Sequence, residues 1–187
     1  MLMYVAMGSI ANAMLAENMV AFANGAAAPH AEWLYMYFVN MGGSGATFGL
    51  VLLMAFRAKS QHLKKLGRVA LPTSIFNINE PIIFGTPMVM NPTMAIPFLA
   101  APTVNFFLTS LVNRLGFAVL TGAMQNNYYP VGVLGAFATG SWTGVAWTIV
   151  LVAIDLVIYY PFFKMYDAKK MREEREMEEA GMEDDLI

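Results

Sequence analysis

Between Arg68 and Arg114 the chain carries a single formal charge, Glu80, inside Ser74-Ile-Phe-Asn-Ile-Asn-Glu-Pro-Ile-Ile-Phe-Gly85. A stretch this apolar has to be buried in protein or lipid. A carboxylate within it is costly unless it faces a cavity, a partner or a polar ligand. Pro81 and Gly85 beside it argue against a plain spanning helix, because proline removes a backbone donor and glycine leaves the chain loose. Irregular backbone at membrane depth persists only where protein buries it or where it lines a wet cavity. The pattern reads as a carboxylate beside a broken helix, the arrangement of a transport site.

Composition agrees with a membrane protein. Hydrophobic residues make up 58% of the chain, charged residues 13%, and the mean hydropathy is +0.53, against about 45–50% apolar and about 25% charged in soluble domains. The 16 Met, 13 Phe and 15 Gly suit closely packed membrane helices. With no Cys, disulfides, thiolate metal sites and a cysteine nucleophile are excluded from this sequence. It has no metal-ligand spacing, no phosphate-binding loop and no Ser-His-Asp arrangement, so no cofactor or metal is expected and any catalysis depends on a partner. Met1–Val20 lacks a basic n-region and carries Glu17, so no cleavable signal peptide is expected.

The charges fall in blocks. Trp33–Phe56 is uncharged and long enough to cross, since about 20 residues suffice. It opens with Trp33, Tyr35 and Tyr37 like an interfacial belt. Its interior Gly42-Gly-Ser-Gly45 predicts a kink, a close helix contact or a site edge. Arg57–Arg68 is basic, with Lys59, Lys64 and Lys65 and no acid, and the positive-inside rule makes it a cytoplasmic loop. A nucleic-acid patch is the alternative reading, and the apolar flanks argue against it. Val69–Asn91, punctured by Pro72, Pro81, Gly85 and Pro87, reads as a re-entrant hairpin. Pro92–Asn113 reads as a crossing, Gly116–Gly140 as a second broken hairpin, and Trp142–Phe163 as a further crossing. Met1–Phe22 is at most a partial or tilted span.

The expectation is therefore an all-α integral membrane protein with about three to four transmembrane helices and two broken re-entrant helical hairpins. Residues 1–163 form its membrane domain. Residues 164–187 form a charged cytoplasmic tail, a frayed helix and then disorder.

Asn77, Asn79 and Glu80 cluster at the tip of the first hairpin, and Asn91 follows in Met-Asn-Pro. Amides and a carboxylate at close spacing supply the paired donors and acceptors that vicinal sugar hydroxyls need. The competing view has Glu80 merely accepting backbone N–H groups freed by Pro81. Asp155, the other intramembrane acid, reads as a structural partner or a relay. His30 reads as a boundary residue. Tyr128, Tyr129 and Trp142 suit either stacking on a sugar ring or anchoring at an interface.

The stretch Phe76-Asn-Ile-Asn-Glu-Pro-Ile-Ile-Phe-Gly85, then Pro87 and Met90-Asn-Pro-Thr-Met-Ala-Ile-Pro97, resembles the signature of a known family. It is that of the lactose/cellobiose/diacetylchitobiose IIC components, membrane permeases of the bacterial phosphoenolpyruvate-dependent sugar phosphotransferase system. Gly42-Gly-Ser-Gly-Ala-Thr47, Gly135-Ala-Phe-Ala-Thr-Gly140 and Ile158-Tyr-Tyr-Pro-Phe-Phe163 resemble it too. The resemblance implies a bacterial inner-membrane, multi-pass permease with a cytoplasmic C-terminus that moves a β-linked disaccharide. It also implies that Glu80 contacts the sugar near the hydroxyl to be phosphorylated, with Asn79 beside it. The remaining site expectations are Asn77, Asn91, Gly43 and Ser44. The phosphoryl donor would be a phosphocysteine on a IIB component, supplied in turn by IIA.

Family members are roughly twice this length, and the match is to their second half. The first half carries several helices and much of the dimer contact, so that half or a second copy is an expected partner, along with lipid. The family's substrate-site His lies in a His-Gly context absent here, and no such role passes to His30. Asn126-Asn-Tyr-Tyr-Pro130 departs from the Trp-containing stretch expected there. Two further readings stand beside the permease: an ion- or proton-coupled transporter using Glu80 and Asp155, and a non-transporting assembly subunit.

Overall fold

The computed structural model describes residues 13, 14, 16–21, 23–26, 29, 35–117 and 129–184, and the regular structure among them is helical. The expectations for His30, Trp33, Asn126, Asn127 and Tyr128 lie outside the described residues. The elements used below are α1 (Met36–Val39), α2 (Phe48–Arg57), α3 (Gln61–Ile75) and α4 (Glu80–Gly85), then a 3-10 turn (Met88–Met90), α5 (Pro92–Arg114), α6 (Val133–Thr139) and α7 (Trp142–Asp184).

The stretch expected as one crossing from Trp33 to Phe56 is interrupted. α1 ends at Val39 and α2 begins at Phe48. Between them Gly42, Gly43 and Gly45 take φ of 74°, 96° and 81°, a left-handed run that no right-handed helix accommodates. The 10 residues of α2 reach about 15 Å, half of a bilayer's hydrocarbon core. The glycine cluster is thus a full break rather than a kink.

After Ala58–Ser60 the chain enters α3, so most of the expected basic loop is helix. Ser60 caps it, its Oγ accepting the Leu63 N–H at 3.2 Å. Leu63, Gly67, Ala70 and Ser74 are buried at helical spacing. Gly67 lets α3 close on α2, because a Cβ there would meet the Ala55 nitrogen and Met54. α3 stops where Asn77 adopts φ +62°, a conformation asparagine tolerates better than most residues. The chain returns through α4, with Pro81 in its first turn, where a missing N–H costs nothing. The first broken hairpin is therefore α3, a tip at 76–79, then α4 and the 3-10 turn.

α5 starts at Asn91, whose Oδ1 accepts the Thr93 N–H at 3.1 Å. α5 and α7 are the two helices among the described residues long and apolar enough to cross a membrane. With 43 residues, α7 is about 65 Å long, twice the hydrocarbon thickness, so only part of it lies at membrane depth. Its buried stripe runs Trp147, Leu151, Asp155, Tyr159, Phe163, Tyr166, three or four residues apart as one helix face requires. Around it α2 and α3 contribute Leu50, Met54 and Leu63, while α1 and α6 contribute Phe38 and Leu134.

The expected frayed tail is instead a continuation of α7 through Asp184. Two of its carboxylates hold the start of α3. Asp167 accepts the Lys59 N–H at 3.1 Å and the Ser60 N–H at 3.0 Å. Glu174 accepts the Ser60 hydroxyl at 2.7 Å, the His62 N–H at 2.8 Å and the Gln61 N–H at 3.1 Å. Helix geometry leaves those N-terminal amides without internal partners, and the positive end of the dipole favours anions. Lys170 and Glu173, 2.7 Å apart, add an i,i+3 pair along the same helix. A mixed-charge sequence that looks solvated in isolation gains order by capping its neighbour.

Candidate functional site

Three interruptions of helical backbone meet: the loop 40–47, the hairpin tip 76–79 and the segment 129–132 that precedes α6. Asn77 joins all three, its Oδ1 accepting the Gly42 N–H at 2.7 Å and its Nδ2 donating to the Tyr129 carbonyl at 3.2 Å. The Val131 N–H donates to the Ile75 carbonyl at 2.7 Å. Asn79 Nδ2 donates to the Ser44 carbonyl at 2.7 Å and to Thr47 Oγ1 at 3.0 Å. The Thr47 hydroxyl in turn donates to the Gly42 carbonyl at 2.8 Å. Gly43 lies against the Asn79 amide so closely that a Cβ would overlap it. Broken backbone that is buried needs such side-chain partners to stay paired.

These contacts separate the residues that build the frame from those left exposed beside it. Asn79, 5% exposed, is spent on the loop. Glu80 follows it as the first residue of α4, and its side chain is exposed. Among the described residues no donor or cation pairs with the Glu80 carboxylate, so it is not consumed in tying the tip together. Ser44 is exposed on the same loop whose carbonyl holds Asn79. The structure thus brings together Asn77, Asn79, Gly43 and Ser44 around the start of α4. It does not bring Asn91 to them: that side chain caps α5 and borders a hollow with Pro87, Tyr166, Lys169 and Lys170.

Two residues of α7 back this frame. Tyr159 is fully buried and its phenol donates to the Gly45 carbonyl at 2.6 Å. One turn earlier, Asp155 is fully buried and accepts both of its bonds, at 3.0 and 3.2 Å, from Asn105 Nδ2 on α5. Gly49 of α2 packs on the Asp155 backbone. Sequence reasoning did not single out Tyr159. Its signal was the four-residue spacing from Asp155 and Leu151, which puts the phenol on the buried face. Tyr129 stacks edge-on against Phe137 at 5.6 Å between centroids, and Trp142 is 84% exposed at the start of α7.

Interrupted helices that gather amides and an uncommitted carboxylate, beside helices long enough to span, define an integral membrane protein built like a transporter. The chain belongs to a specific family of such proteins, described as Phosphotransferase system, EIIC, whose model matches residues 1–102, more than half of the 187. It is 39% identical over 165 residues to the lichenan permease IIC component of Bacillus subtilis (strain 168), covering 86% of this chain and 36% of that protein. To the PTS system lactose-specific EIICB component of Staphylococcus aureus it is 36% identical over 148 residues, 78% of this chain and 26% of that protein. The crystal structure of the transporter ChbC, the IIC component from the N,N'-diacetylchitobiose-specific phosphotransferase system, matches with a TM-score of 0.82 and 37% identity. That match covers 89% of this chain and 39% of ChbC. The resemblance carried by the Asn-Glu-Pro motif is borne out. The chain spans a little over a third of the length of the lichenan permease and of ChbC.

Proposed function

We propose that the chain forms the sugar-binding portion of a IIC permease that carries a β-linked disaccharide across the bacterial inner membrane for phosphorylation by a IIB partner. The observation that carries this reading is the Glu80 carboxylate, exposed and without a partner among the described residues, beside a tip whose two asparagine side chains bond to the neighbouring loops. A carboxylate in that position accepts a sugar hydroxyl through a charge-assisted bond, roughly twice as strong as a neutral one. It also fixes the direction of the oxygen that must meet the phosphoryl donor. The Ser44 hydroxyl and the apolar residues around the tip offer the mixed polar and apolar surface that a sugar ring requires. The family resemblance implies a phosphocysteine on IIB, itself loaded by IIA, as the donor, and the lack of Cys in this sequence is consistent with a donor on another component. The EIICB name of the lactose-specific relative supports that pairing.

In the topology this implies, the basic segment Arg57–Arg68, at the junction of α2 and α3, faces the cytoplasm. Asp167 and Glu174 bond to residues 59–62, which supports the same side for the end of α7. Residues 1–163 then form the membrane domain, with α5 and the first part of α7 as crossings and the broken segments as re-entrant hairpins, and 164–187 the cytoplasmic extension. Lipid and the permease portion that the relatives carry beyond this match, or a second copy, complete the surroundings. An ion relay between Glu80 and Asp155 is disfavoured, because Asp155 spends its bonds on Asn105 between two helices. The test is Glu80→Gln, made in the chain together with the rest of a IIC permease. Loss of cellobiose or diacetylchitobiose binding and uptake, with folding retained, is expected. Normal uptake by that variant refutes the site.

A further inference from the structure

We infer that Tyr159 is a positioning residue for the sugar site: its buried phenol holds the Gly45 carbonyl and so sets the orientation of the loop that fixes Asn77 and Asn79. The inference rests on the functional reading of Glu80 given above. Tyr159 is fully buried, and a phenol at membrane depth needs an acceptor. It takes one from the loop, at 2.6 Å.

The consequence follows from peptide geometry. The Gly45 carbonyl belongs to the peptide unit joining residues 45 and 46. The Ser44 carbonyl, which receives Asn79 Nδ2 at 2.7 Å, belongs to the unit joining 44 and 45. Both units are planar, so once the first is held, only φ and ψ of Gly45 decide where the second points. Glycine is the residue least able to hold those angles by itself, and Gly45 sits at φ +81°. On its other side the loop meets Phe98 of α5, whose ring a Cβ at Gly45 would overlap. The loop is therefore held between Phe98 and Tyr159. The Asp155–Asn105 contact, one turn away, locks α5 to α7 and keeps those two rings in register. Tyr159 is itself buried, away from the exposed Glu80 and Ser44 side chains. It acts through Gly45, then Ser44 and Gly42, on the two asparagines beside Glu80.

The test uses Tyr159→Phe, which keeps the ring and its packing and removes only the donor, in the full chain together with the rest of a IIC permease. Cellobiose and diacetylchitobiose are the probes. Binding about 3- to 10-fold weaker is expected, the size of one lost hydrogen bond, with KM raised more than the maximal uptake rate is lowered. In an Asn79→Ala background the same change should add little, because its effect passes through Asn79. A merely structural role gives additive losses instead. Tyr159→4-aminophenylalanine, which restores an N–H donor, should bind within about twofold of the unmodified chain. If Tyr159→Phe does not fold, this variant decides alone, and a loss above about tenfold overturns the inference. Glu80→Gln runs in parallel. If it abolishes binding while Tyr159→Phe binds normally, the role of Tyr159 is wrong and the site stands. If Glu80→Gln also binds normally, the functional reading falls first.

Discussion

Replacing Asn79 by aspartate preserves the shape of the side chain and reverses what it offers the loop. Asn79 is 5% exposed and donates at 2.7 Å to the Ser44 carbonyl and at 3.0 Å to Thr47 Oγ1. Aspartate presents an oxygen to each. The Thr47 proton cannot compensate without abandoning the Gly42 carbonyl, 2.8 Å away. A lost hydrogen bond is worth about 1 kcal/mol, and a buried acceptor left unpaired costs about 1–3 kcal/mol. Two such sites, at about 1–3 kcal/mol each, give about 2–6 kcal/mol against ordered loop and tip. At about 1.4 kcal/mol per tenfold, the local equilibrium shifts by roughly one to four powers of ten. Because α5 and α7 make none of these bonds, the loss should be local. Hydrogen exchange followed by mass spectrometry should show faster exchange in 40–47 and 76–79, unchanged exchange in the α7 core, and loss of disaccharide binding. Exchange and affinity equal to the unmodified chain would refute the claim that Asn79 holds the loop.

Glycine substitutions separate crowding from flexibility. Gly43→Ala forces a methyl into the Asn79 amide at φ +96° and should cost about 2 kcal/mol or more. Gly181→Ala, on open helical backbone, should stabilise α7 by up to about 1 kcal/mol; thermal melting in detergent compares them. The α3 clasp should be acid-sensitive. Glu174 is held below its ordinary 4.5 by the Ser60 hydroxyl and then by the His62 and Gln61 amides. A carboxyl lowered in the folded state contributes stability above its unfolded pKa, lost as pH falls through the folded value. The melting-point gap between the unmodified chain and Glu174→Gln should thus be constant near neutrality and close below about pH 4.5. Finally, Asp155→Leu leaves the Asn105 amide buried without its partner and should cost about 2–4 kcal/mol, while Asp155→Leu combined with Asn105→Leu should recover much of it. Additive losses in the melting temperatures would rule out the pair.

The amino-acid order makes the two long helices legible because their apolar runs are long and carry at most one charge, Asp155 in α7, and proline inside α5 did not end it. The first hairpin is legible for the opposite reason, since Pro81, Gly85 and Pro87 leave no straight helix possible. What local pattern does not reveal is whether a glycine cluster bends or breaks a helix. Gly42–Gly45 breaks one because Asn77 and Asn79, some 35 positions away in sequence, provide the bonds that the broken backbone lacks. The order of α7 beyond Phe163 was hidden likewise, since it depends on amides at 59–62 that only the fold brings to Asp167 and Glu174. Within the site, spacing exposed the polar cluster and the lone carboxylate. It did not sort Asn79, which shapes the loop, from Glu80, which faces outward, nor separate Asn91 from both. Tyr159 reads as another apolar-face aromatic until its phenol is seen on Gly45.

The most direct measurement of the central claim is a structure of the chain, within a complete permease, with diacetylchitobiose or cellobiose bound. A sugar hydroxyl should lie about 2.5–3.0 Å from a Glu80 carboxylate oxygen, with the 42–47 loop and the Asn77–Asn79 tip unchanged around it. A disaccharide bound in the permease with no hydroxyl within reach of Glu80 would contradict the account.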